Sequence, residues 1–532
     1  MRLAAFLLTV VLAITSAVAQ PAARGPAASA PAVRYGAAAS GQVLYNGIVL
    51  PKEWPPKLDF DKDIKTRKPL PVPYYLQHPP AVIPIDLGRQ LFVDDFLIES
   101  ATLTRSYHLA EYYPQNPVVS DGMVFSGGVF VDPKDQLFKM WYFAGGGVAY
   151  TTSKDGIHWG KYQVVQPGSS DSTTVWLDQE TADPASRFKM IRSITANKRT
   201  TGHIFISPDG IHWTDTGKQT GDWGDRSTFF YNPFRKVWVY SSRHGWGEPR
   251  ARRYWEAPDL VEGFHWKLPE VRPPIWVGAD ELDPPREDYK IAPQLYNLDC
   301  AGYESLLLGL FTIWRGQPGP REKPNEVCVG FSRDGWSWSR PDRRAFCPVS
   351  ETPGQWNYAN VQSAGGCCLI VGDKLYFYVS GRGKGHATGL ATLRRDGFAS
   401  MDAGSTEGAL TTRPLRFSGK RLFVNADVPQ GELSVEMLDA AGEVIAPFTR
   451  GNCQKFKGDS TIAAVQWNGA KDLSALDGKP VRFRFHLKNG RLYAFWVSPD
   501  ASGAGGGYVA AGGPGFTGPT DTVGVRAYKA AK

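Results

Sequence analysis

Cysteine is scarce in this sequence, with six in 532 residues, and the scarcity narrows the chemistry that the chain can carry. The six follow no zinc-binding spacing; they are Cys300, Cys328, Cys347, Cys367, Cys368 and Cys453. Neighbouring Cys367 and Cys368 would point to opposite faces of a strand, so we do not expect them to pair. One or two disulfides among the others are expected in an oxidising compartment. We expect no metal site and no cofactor, although a structural calcium ion would leave no sequence signature.

Long apolar runs are missing after the first twenty residues, which argues against membrane insertion. Residues 1–19 have the form of a secretory signal peptide. Arg2 is followed by a short apolar stretch and by the small-residue cleavage site Ala17-Val18-Ala19. No cysteine follows that site to carry a lipid. We therefore expect a secreted or periplasmic protein.

No nucleic-acid recognition motif and no phosphate-cradling loop accompany the formal net charge of +8. The basic residues are dispersed, so we expect no nucleic-acid partner. A basic balance instead favours acidic glycans or anionic surfaces. Residues 20–84 read as an Ala- and Pro-rich spacer followed by an N-terminal extension, and 20–45 are expected to be disordered.

What the chain does have is a repeated motif, Ser-x-Asp-Gly-x-x-Trp. It occurs around Asp155, Asp209 and Asp334, and the second spacing is about twice the first. A degenerate copy is therefore expected between the last two, and Asp259 in EAPDLVEGFHW supplies it. Asp396 in LRRDGFASM is a fifth candidate copy.

Short alternating apolar runs with strand composition precede each copy of the motif. Units of about 50 residues with four short strands are typical of β-propeller blades. We predict an all-β chain with a five-bladed β-propeller over 85–402. The long alternating runs and hairpin turns of 403–532 predict a C-terminal β-sandwich with a Gly-rich tail on its surface.

The motif has a structural explanation of its own. Its Asp can accept hydrogen bonds from backbone N–H groups in a tight turn, while Gly supplies positive φ. The Trp can bury its face between neighbouring blades. A catalyst is needed once and not once per blade, so Asp155 is predicted to be a turn residue and Trp159 an inter-blade wedge.

SKDGIHW and SPDGIHW resemble the Asp-box of sialidases, with a shorter spacing, and look closer to the turns of five-bladed glycosidases. That superfamily includes glycoside hydrolase families 32, 43 and 68. LFVDDFLIES at 91–100, followed by HLAEYYPQNPVV, resembles the opening of secreted bacterial proteins related to family 32. The resemblance covers roughly residues 85–530 and implies a propeller, a sandwich packed on it and glycosidic-bond hydrolysis. The WMNDPNG-type and Arg-Asp-Pro motifs of family 32 are absent, which argues against fructan hydrolysis.

Carboxylates at the starts of the innermost strands are the candidate catalysts, because those strand ends converge on a central funnel. Glycoside hydrolysis needs two carboxyl groups. Asp171, Asp225 and Asp288 precede the first strands of blades two, three and four. Glu304, at the head of an apolar strand, is the candidate general acid, because burial would raise its pKa. The alternatives are turn or cap residues for the three Asp and a buried Arg-paired carboxylate for Glu304.

Cations and aromatic residues in the connecting loops are the candidate sugar-binding groups. Such cations could bind a carboxylate or sulfate on a sugar; the alternative is a solvated loop. The candidates are Arg226, Arg243, His244, Trp246, Trp356, Arg382 and His386. In LFVDDFLIES, Asp94 or Asp95 is functional, or the segment is the strand that joins the last blade and closes the ring.

The function predicted from the sequence is that of a secreted glycoside hydrolase, which cleaves a poly- or oligosaccharide with paired carboxylates in the funnel. The alternative is a non-catalytic carbohydrate-binding propeller. A lyase or phosphorylase on the same scaffold is a third possibility, which the missing phosphate-cradling loop disfavours.

Overall fold

The computed structural model describes residues 41–56 and 64–530, with the exception of 169, 171, 245–248, 265, 267–270, 320–321 and 384. The predicted signal peptide and the first part of the predicted spacer lie outside the described residues. No helix in the described part of the chain is long and apolar enough to cross a membrane.

Five short strands precede the first blade, together with the helical residues 64–66 and the helical turn α1 (Tyr74–Gln77). The strands are β1 (Ile83–Pro84), β2 (Gln90–Leu91), β3 (Ile98–Ala101), β4 (Thr104–Tyr107) and β5 (Glu111–Tyr112). They contribute to three different sheets, as described below.

Blades one to three are four-stranded antiparallel sheets built from consecutive strands. Blade one contains β6 (Met123–Val131), β7 (Phe138–Ala144), β8 (Gly147–Ser153) and β9 (Gln163–Pro167). Blade two contains β10 (Thr173–Leu177), β11 (Phe188–Ala196), β12 (Arg199–Ser207) and β13 (Thr214–Asp222). Blade three contains β14 (Thr228–Asn232), β15 (Val237–His244), β16 (Ala251–Ala257) and β17 (Ile275–Gly278).

Blades four and five each include a strand from a distant part of the chain. In blade four this strand is β31 (Tyr508–Val509), and in blade five it is β5. Blade four contains β18 (Gln294–Glu304), β19 (Leu306–Trp314) and β20 (Asn325–Ser332). Blade five contains β21 (Leu369–Val371), β22 (Lys374–Gly381) and β23 (Ala387–Arg394), and β5 pairs with β23 as its outer strand. The borrowed β5 closes the ring, so the predicted five-bladed propeller is confirmed.

The remaining strands form the C-terminal sandwich, as one nine-stranded antiparallel system that includes β2, β3 and β4. Its later strands are β24 (Ala399–Ala403), β25 (Gly408–Thr412), β27 (Arg421–Leu438), β28 (Phe456–Val465), β29 (Arg482–Lys488) and β30 (Gly490–Ser498). A separate parallel pair joins β1 to β26 (Leu415–Arg416). The long β27 pairs first with β30 and then with β29, so it links the two halves of the sandwich. Three phenylalanine rings pack against one another in its core: Phe92, Phe485 and Phe495.

The boundaries between the domains differ from those predicted. LFVDDFLIES does not close the ring: β2 and β3 belong to the sandwich, and β5 closes the propeller. Asp94 is buried in a pair with Arg333, and Asp95 is an exposed partner of Arg105. The sequence pattern predicts strands in this segment. It does not predict which sheet they join, because their partners β25 and β30 lie hundreds of residues further along the chain.

Both ends of the described chain pack against the propeller. In the predicted spacer, Tyr45 donates a hydrogen bond to the carbonyl of Ser305, and the indole of Trp54 donates to Glu256. In the Gly-rich tail, β31 (Tyr508–Val509) pairs with the end of β18. The tail was expected on the surface, but Val509 is fully buried. The last element is helix α2 (Val525–Ala530).

The repeated Asp residues are turn residues. The Asp155 carboxylate accepts from the backbone N–H groups of Ile157 and His158 at 2.8 Å, and Gly156 has φ +75°. The Asp209 and Asp334 turns have the same bonds. The fifth copy differs, because Asp396 is buried in a charged cluster.

Aromatic side chains connect these turns to the neighbouring blades. Tyr378 of blade five donates to the carbonyl of Gly156 in blade one, and its ring meets that of Trp159 edge-on. Trp141 of blade one donates to Gly210 of blade two in the same way. The motif therefore holds the blades in register around the ring.

All six cysteines are buried and none is in a disulfide. The expected one or two bridges are therefore not formed. Cys367 and Cys368 do not pair with each other, as predicted.

Candidate active site at the entrance of the propeller funnel

The funnel is the space enclosed by the innermost strands β6, β10, β14, β18 and β21. Its entrance is the end at which β10, β14 and β18 begin, and its base is the end at which β18 finishes. The turn from blade two to blade three delivers Asp225 to the entrance. Gly224 and Arg226 on either side have φ +77° and +58°, so two left-handed residues reverse the chain there. A left-handed Arg is strained, and such strain is often found at functional sites.

The Asp225 carboxylate is partly exposed at the entrance and has two polar neighbours. The guanidinium of Arg243 lies 3.6 Å from Oδ2, and the side chain of Asp225 is 20% exposed. The hydroxyl of Tyr296, near the start of β18, lies 3.5 Å from the same oxygen. Blades three and four therefore hold one reachable carboxylate beside a cation and a hydroxyl donor.

Arg226, the residue after Asp225, crosses the funnel and ties three blades together. Its Nε donates to the amide oxygen of Gln362 in blade five at 2.8 Å. One terminal nitrogen donates to Ser126 Oγ in blade one at 2.8 Å, and the guanidinium stacks on the ring of Phe125. Burial lowers the pKa of Arg226 to about 10. Only 1% of Arg226 is exposed, so it supports the site rather than facing solvent.

A carboxylate that the sequence analysis missed lies below Arg226. Asp299, in the middle of β18, accepts from Ser363 Oγ at 2.6 Å, from Asn297 Nδ2 at 2.9 Å and from Ser126 Oγ at 3.4 Å. Burial raises its pKa to about 6, against the lowering effects of these bonds and of Arg226. Because Ser126 contacts both groups, Asp299 and Arg226 form one network. The sequence signal that could have identified Asp299 is an Asp inside the largely apolar strand QLYNLDCAGYE.

Further arginines make the entrance electropositive. Arg252 is fully buried and donates to the carbonyls of Arg226 and Tyr296; burial lowers its pKa to about 9. Arg250 donates to the amide oxygen of Gln294, and Arg382 stacks on the face of Phe125. Of the predicted cations, Arg226 of blade three and Arg382 of blade five both lie over the ring of Phe125.

The other predicted cations and aromatic residues are divided between the entrance and the blade surface. Arg243 and His244 line a cleft between blades two and three. His386 is exposed beside Phe143, and partial burial together with Arg382 lowers its pKa. Trp356 lies on the face of blade five against Tyr112, outside the funnel. Trp246 lies outside the described residues.

The other candidate catalytic carboxylates have surroundings different from those of Asp225. Asp288 is in an exposed turn and pairs with Arg286, which also contacts Glu351. Glu304 ends β18, eight residues beyond Tyr296, which is roughly 26 Å at the usual rise per strand residue. Asp171 lies outside the described residues. Asp225 therefore lies at the entrance and Glu304 at the base, while Asp288 is in an exposed turn six residues before β18.

Glu304 belongs to a buried charged cluster at the base, where the propeller meets the tail and the sandwich. It accepts from Arg395 at 3.1 Å and from the backbone N–H of Arg89 at 3.1 Å. Arg89 also pairs with Asp396 at 2.8 Å, and Arg395 with Asp521 at 3.1 Å. Burial raises the pKa of Glu304, as predicted, while the two arginines act in the opposite direction. The contacts are those of the alternative, a buried carboxylate paired with arginine, and the side chain of Glu304 is 0% exposed.

Among the described residues, no group of three or more His, Cys, Asp or Glu side chains could hold a metal ion.

No protein-family model and no curated protein matches the chain. Among solved structures, the chain is similar to a glycosyl hydrolase from Bacteroides ovatus, with 13% identity over 56% of this chain and 97% of the other and a TM-score of 0.37. It is also similar to a family 43 arabinoxylan arabinofuranohydrolase from Bacillus subtilis, with 10% identity, coverages of 72% and 97% and a TM-score of 0.36. A third similar structure is that of a mannose phosphorylase from Leishmania mexicana. It is 9% identical, the match covers 54% of this chain and 88% of the other, and the TM-score is 0.34.

Proposed function

We propose that the protein is a secreted glycoside hydrolase, with Asp225 as a catalytic carboxylate at the funnel entrance. The observation that carries this proposal is the position of Asp225, which is reachable from solvent and held beside Arg243 and Tyr296. A carboxylate in such a position can act on a sugar or on a water molecule beside it.

Hydrolysis needs a second carboxyl group at the same entrance, and Asp171 is the one we propose. Its neighbour Ser172 donates to the carbonyl of Ser227 at 2.8 Å, two residues from Asp225. The starts of blades two and three are thus joined beside Asp225. The buried Asp299 supports the entrance through Ser126 and Arg226 and is a positioning residue in this proposal.

The binding of sugars at this entrance is supported by its mixture of cations and aromatic rings. Phe125, Phe143 and Tyr142 line a small pocket at the junction of blades one and two. Ring faces suit the apolar faces of sugars, while the arginines supply donors to hydroxyl or acidic oxygens.

The test is an activity screen of the wild type on a panel of neutral and acidic oligosaccharides, with products resolved by chromatography. Asp225→Asn and Asp171→Asn should each lower kcat/KM at least about 100-fold on any substrate that is cleaved, because each removes a proposed catalytic carboxyl group. Asp288→Asn is the matched control. It removes an exposed carboxylate that also precedes an inner strand, and kcat/KM should not change.

A wild type that binds oligosaccharides without cleaving any would favour the non-catalytic carbohydrate-binding propeller instead. Export is a separate part of the proposal, supported by the signal-like residues 1–19. Sequencing the N-terminus of the protein recovered from its host should show cleavage after Ala19.

A further inference from the structure

A basic cleft of about 450 Å³ opens beside the funnel entrance, between blades two and three. Its volume is within the usual range for small-molecule sites. The cationic and imidazole side chains that line it are Lys198, Arg199, Arg243, His244, Arg253 and Arg272. They come from the β11–β12 turn, the end of β15, the start of β16 and the segment before β17, so two blades build the cleft jointly.

The described lining of this cleft has a large excess of positive charge. It contains five Lys or Arg side chains and one carboxylate, Asp222. That carboxylate accepts from Arg199 at 2.5 Å. A concave surface lined by one sign of charge concentrates ligands of the opposite sign. The cleft therefore favours an anion and disfavours a cation.

Hydrogen bonds orient part of this lining in advance. Arg253 donates to the carbonyl of Pro273 at 2.6 Å and to Nδ1 of His244 at 2.7 Å. Because a guanidinium only donates, Nδ1 of His244 is the acceptor and the ring proton is on Nε2.

The wall of the cleft also includes a buried donor that lacks an acceptor. Trp223 is 1% exposed, and its indole N–H has no hydrogen-bond partner in the described part of the chain. Buried donors are usually paired, so an unpaired one in a cavity wall indicates a place for a ligand or a water molecule.

The cleft is continuous with the candidate active site through Arg243. This side chain lines the cleft and also lies 3.6 Å from Asp225. Gly224 allows the approach, since a Cβ there would come within 2.9 Å of Cβ of Arg243. A group bound in the cleft is therefore adjacent to a sugar at Asp225.

We propose that this cleft is a subsite for an acidic group on the sugar, a sulfate ester or a carboxylate, and that the substrate class is an acidic glycan. This inference rests on the proposed function for the reaction at Asp225. The binding of an acidic oligosaccharide requires no catalysis and is measured separately.

The test is calorimetric binding of three oligosaccharides of equal length: an oligogalacturonate, a sulfated carrageenan fragment and a neutral glucan. Carboxyl-reduced and desulfated versions of the first two identify which acidic group is recognised. The variant is Lys198→Gln with Arg272→Gln, two exposed positions on the cleft wall. The matched control is Lys134→Gln with Lys374→Gln, which removes the same net charge at exposed positions on the base side.

The cleft variant should bind the recognised acidic oligosaccharide about fivefold more weakly at low salt, and the loss should shrink at high salt. Its affinity for the neutral glucan, and the affinity of the control variant for all three, should be unchanged. Equal weakening in both variants, or equal binding of acidic and neutral sugars by the wild type, would overturn the proposal. So would an oligonucleotide that binds the cleft more tightly than either acidic sugar.

The two proposals fail in different ways. Tight binding of an acidic oligosaccharide without any cleavage would remove the hydrolase and keep the acidic subsite. Cleavage of neutral glycans with no preference for acidic ones would keep the hydrolase and remove the subsite.

Discussion

The entrance and the base of the propeller both contain buried arginines, but the charges are balanced in different ways. At the base, Arg89 and Arg395 pair with three carboxylates, and all of these side chains are 0% exposed. At the entrance, Arg226 and Arg252 bond only neutral oxygens in the described chain, and burial lowers their pKa values.

This difference separates a structural role from a functional one. A buried cluster in which each arginine already contacts two carboxylates joins segments and has no positive charge left over for an anionic ligand. A surplus of positive charge around a reachable carboxylate is costly for folding and is the kind of arrangement found at functional sites. The proposed function therefore assigns the reaction to the entrance, and we propose a stabilising role for the base.

The largest expected effect is on activity at the entrance. Asp225→Asn should reduce kcat/KM about 1,000-fold, because it removes a proposed catalytic carboxylate while keeping the shape of the side chain. The melting temperature should change by no more than a few degrees, since the side chain is partly exposed. A variant with full activity would show that the reactive group lies elsewhere.

The next effect is on stability at the base. Glu304→Gln should lower the free energy of unfolding by about 3 kcal/mol, because it removes one of the two buried carboxylates that contact Arg395 and leaves Asp521 as its remaining charged partner. Chemical denaturation gives this value, and Asp288→Asn is the control for an exposed carboxylate. A change below about 0.5 kcal/mol, the usual range for surface substitutions, would mean that the cluster does not depend on this pair.

The next prediction concerns the pH dependence of stability, which tests whether Asp299 in the funnel has a raised pKa. Its pKa is raised from 3.8 to about 6 in the folded state, so the folded protein binds a proton more readily than the unfolded chain. The contribution of Asp299 to stability therefore falls as pH rises from about 4 to about 6, by at most about 3 kcal/mol. The Asp299→Asn variant should lack this component when unfolding is followed at pH 4, 5, 6 and 7. Identical pH profiles for variant and wild type would contradict the raised pKa.

The smallest expected effect is at a blade turn on the base side. Asp155→Ala removes the acceptor of two backbone N–H groups, and we expect a loss of about 1 kcal/mol in the free energy of unfolding, with unchanged activity. Lys154→Ala, at the preceding exposed residue, is the control and should be neutral. A loss of activity in Asp155→Ala would contradict a purely structural role of the motif and would make Asp155 a candidate catalytic residue.

The blades were predictable because their signals are local. Each Ser-x-Asp-Gly-x-x-Trp turn is completed within a few residues, so its recurrence counts the blades directly. The position of Asp225 was also predictable, because the start of an inner strand in a propeller has a fixed place relative to its blade.

The charged cluster at the base was not predictable, because its partners come from distant segments. Glu304 is at the end of β18, whereas Arg89, Arg395 and Asp521 come from the N-terminal segment, the end of blade five and the tail. A buried carboxylate before an apolar strand fits a catalyst and an ion pair equally well until its partners are known. The assignment of β2 and β3 to the sandwich had the same cause.

The most direct test of this account compares Asp225→Asn and Glu304→Gln on one cleaved oligosaccharide, with kcat/KM expressed per folded molecule. We predict a loss of about 1,000-fold for Asp225→Asn and a change of less than about threefold for Glu304→Gln. The opposite result, an inactive but folded Glu304→Gln and an active Asp225→Asn, would place the chemistry at the base and contradict the account.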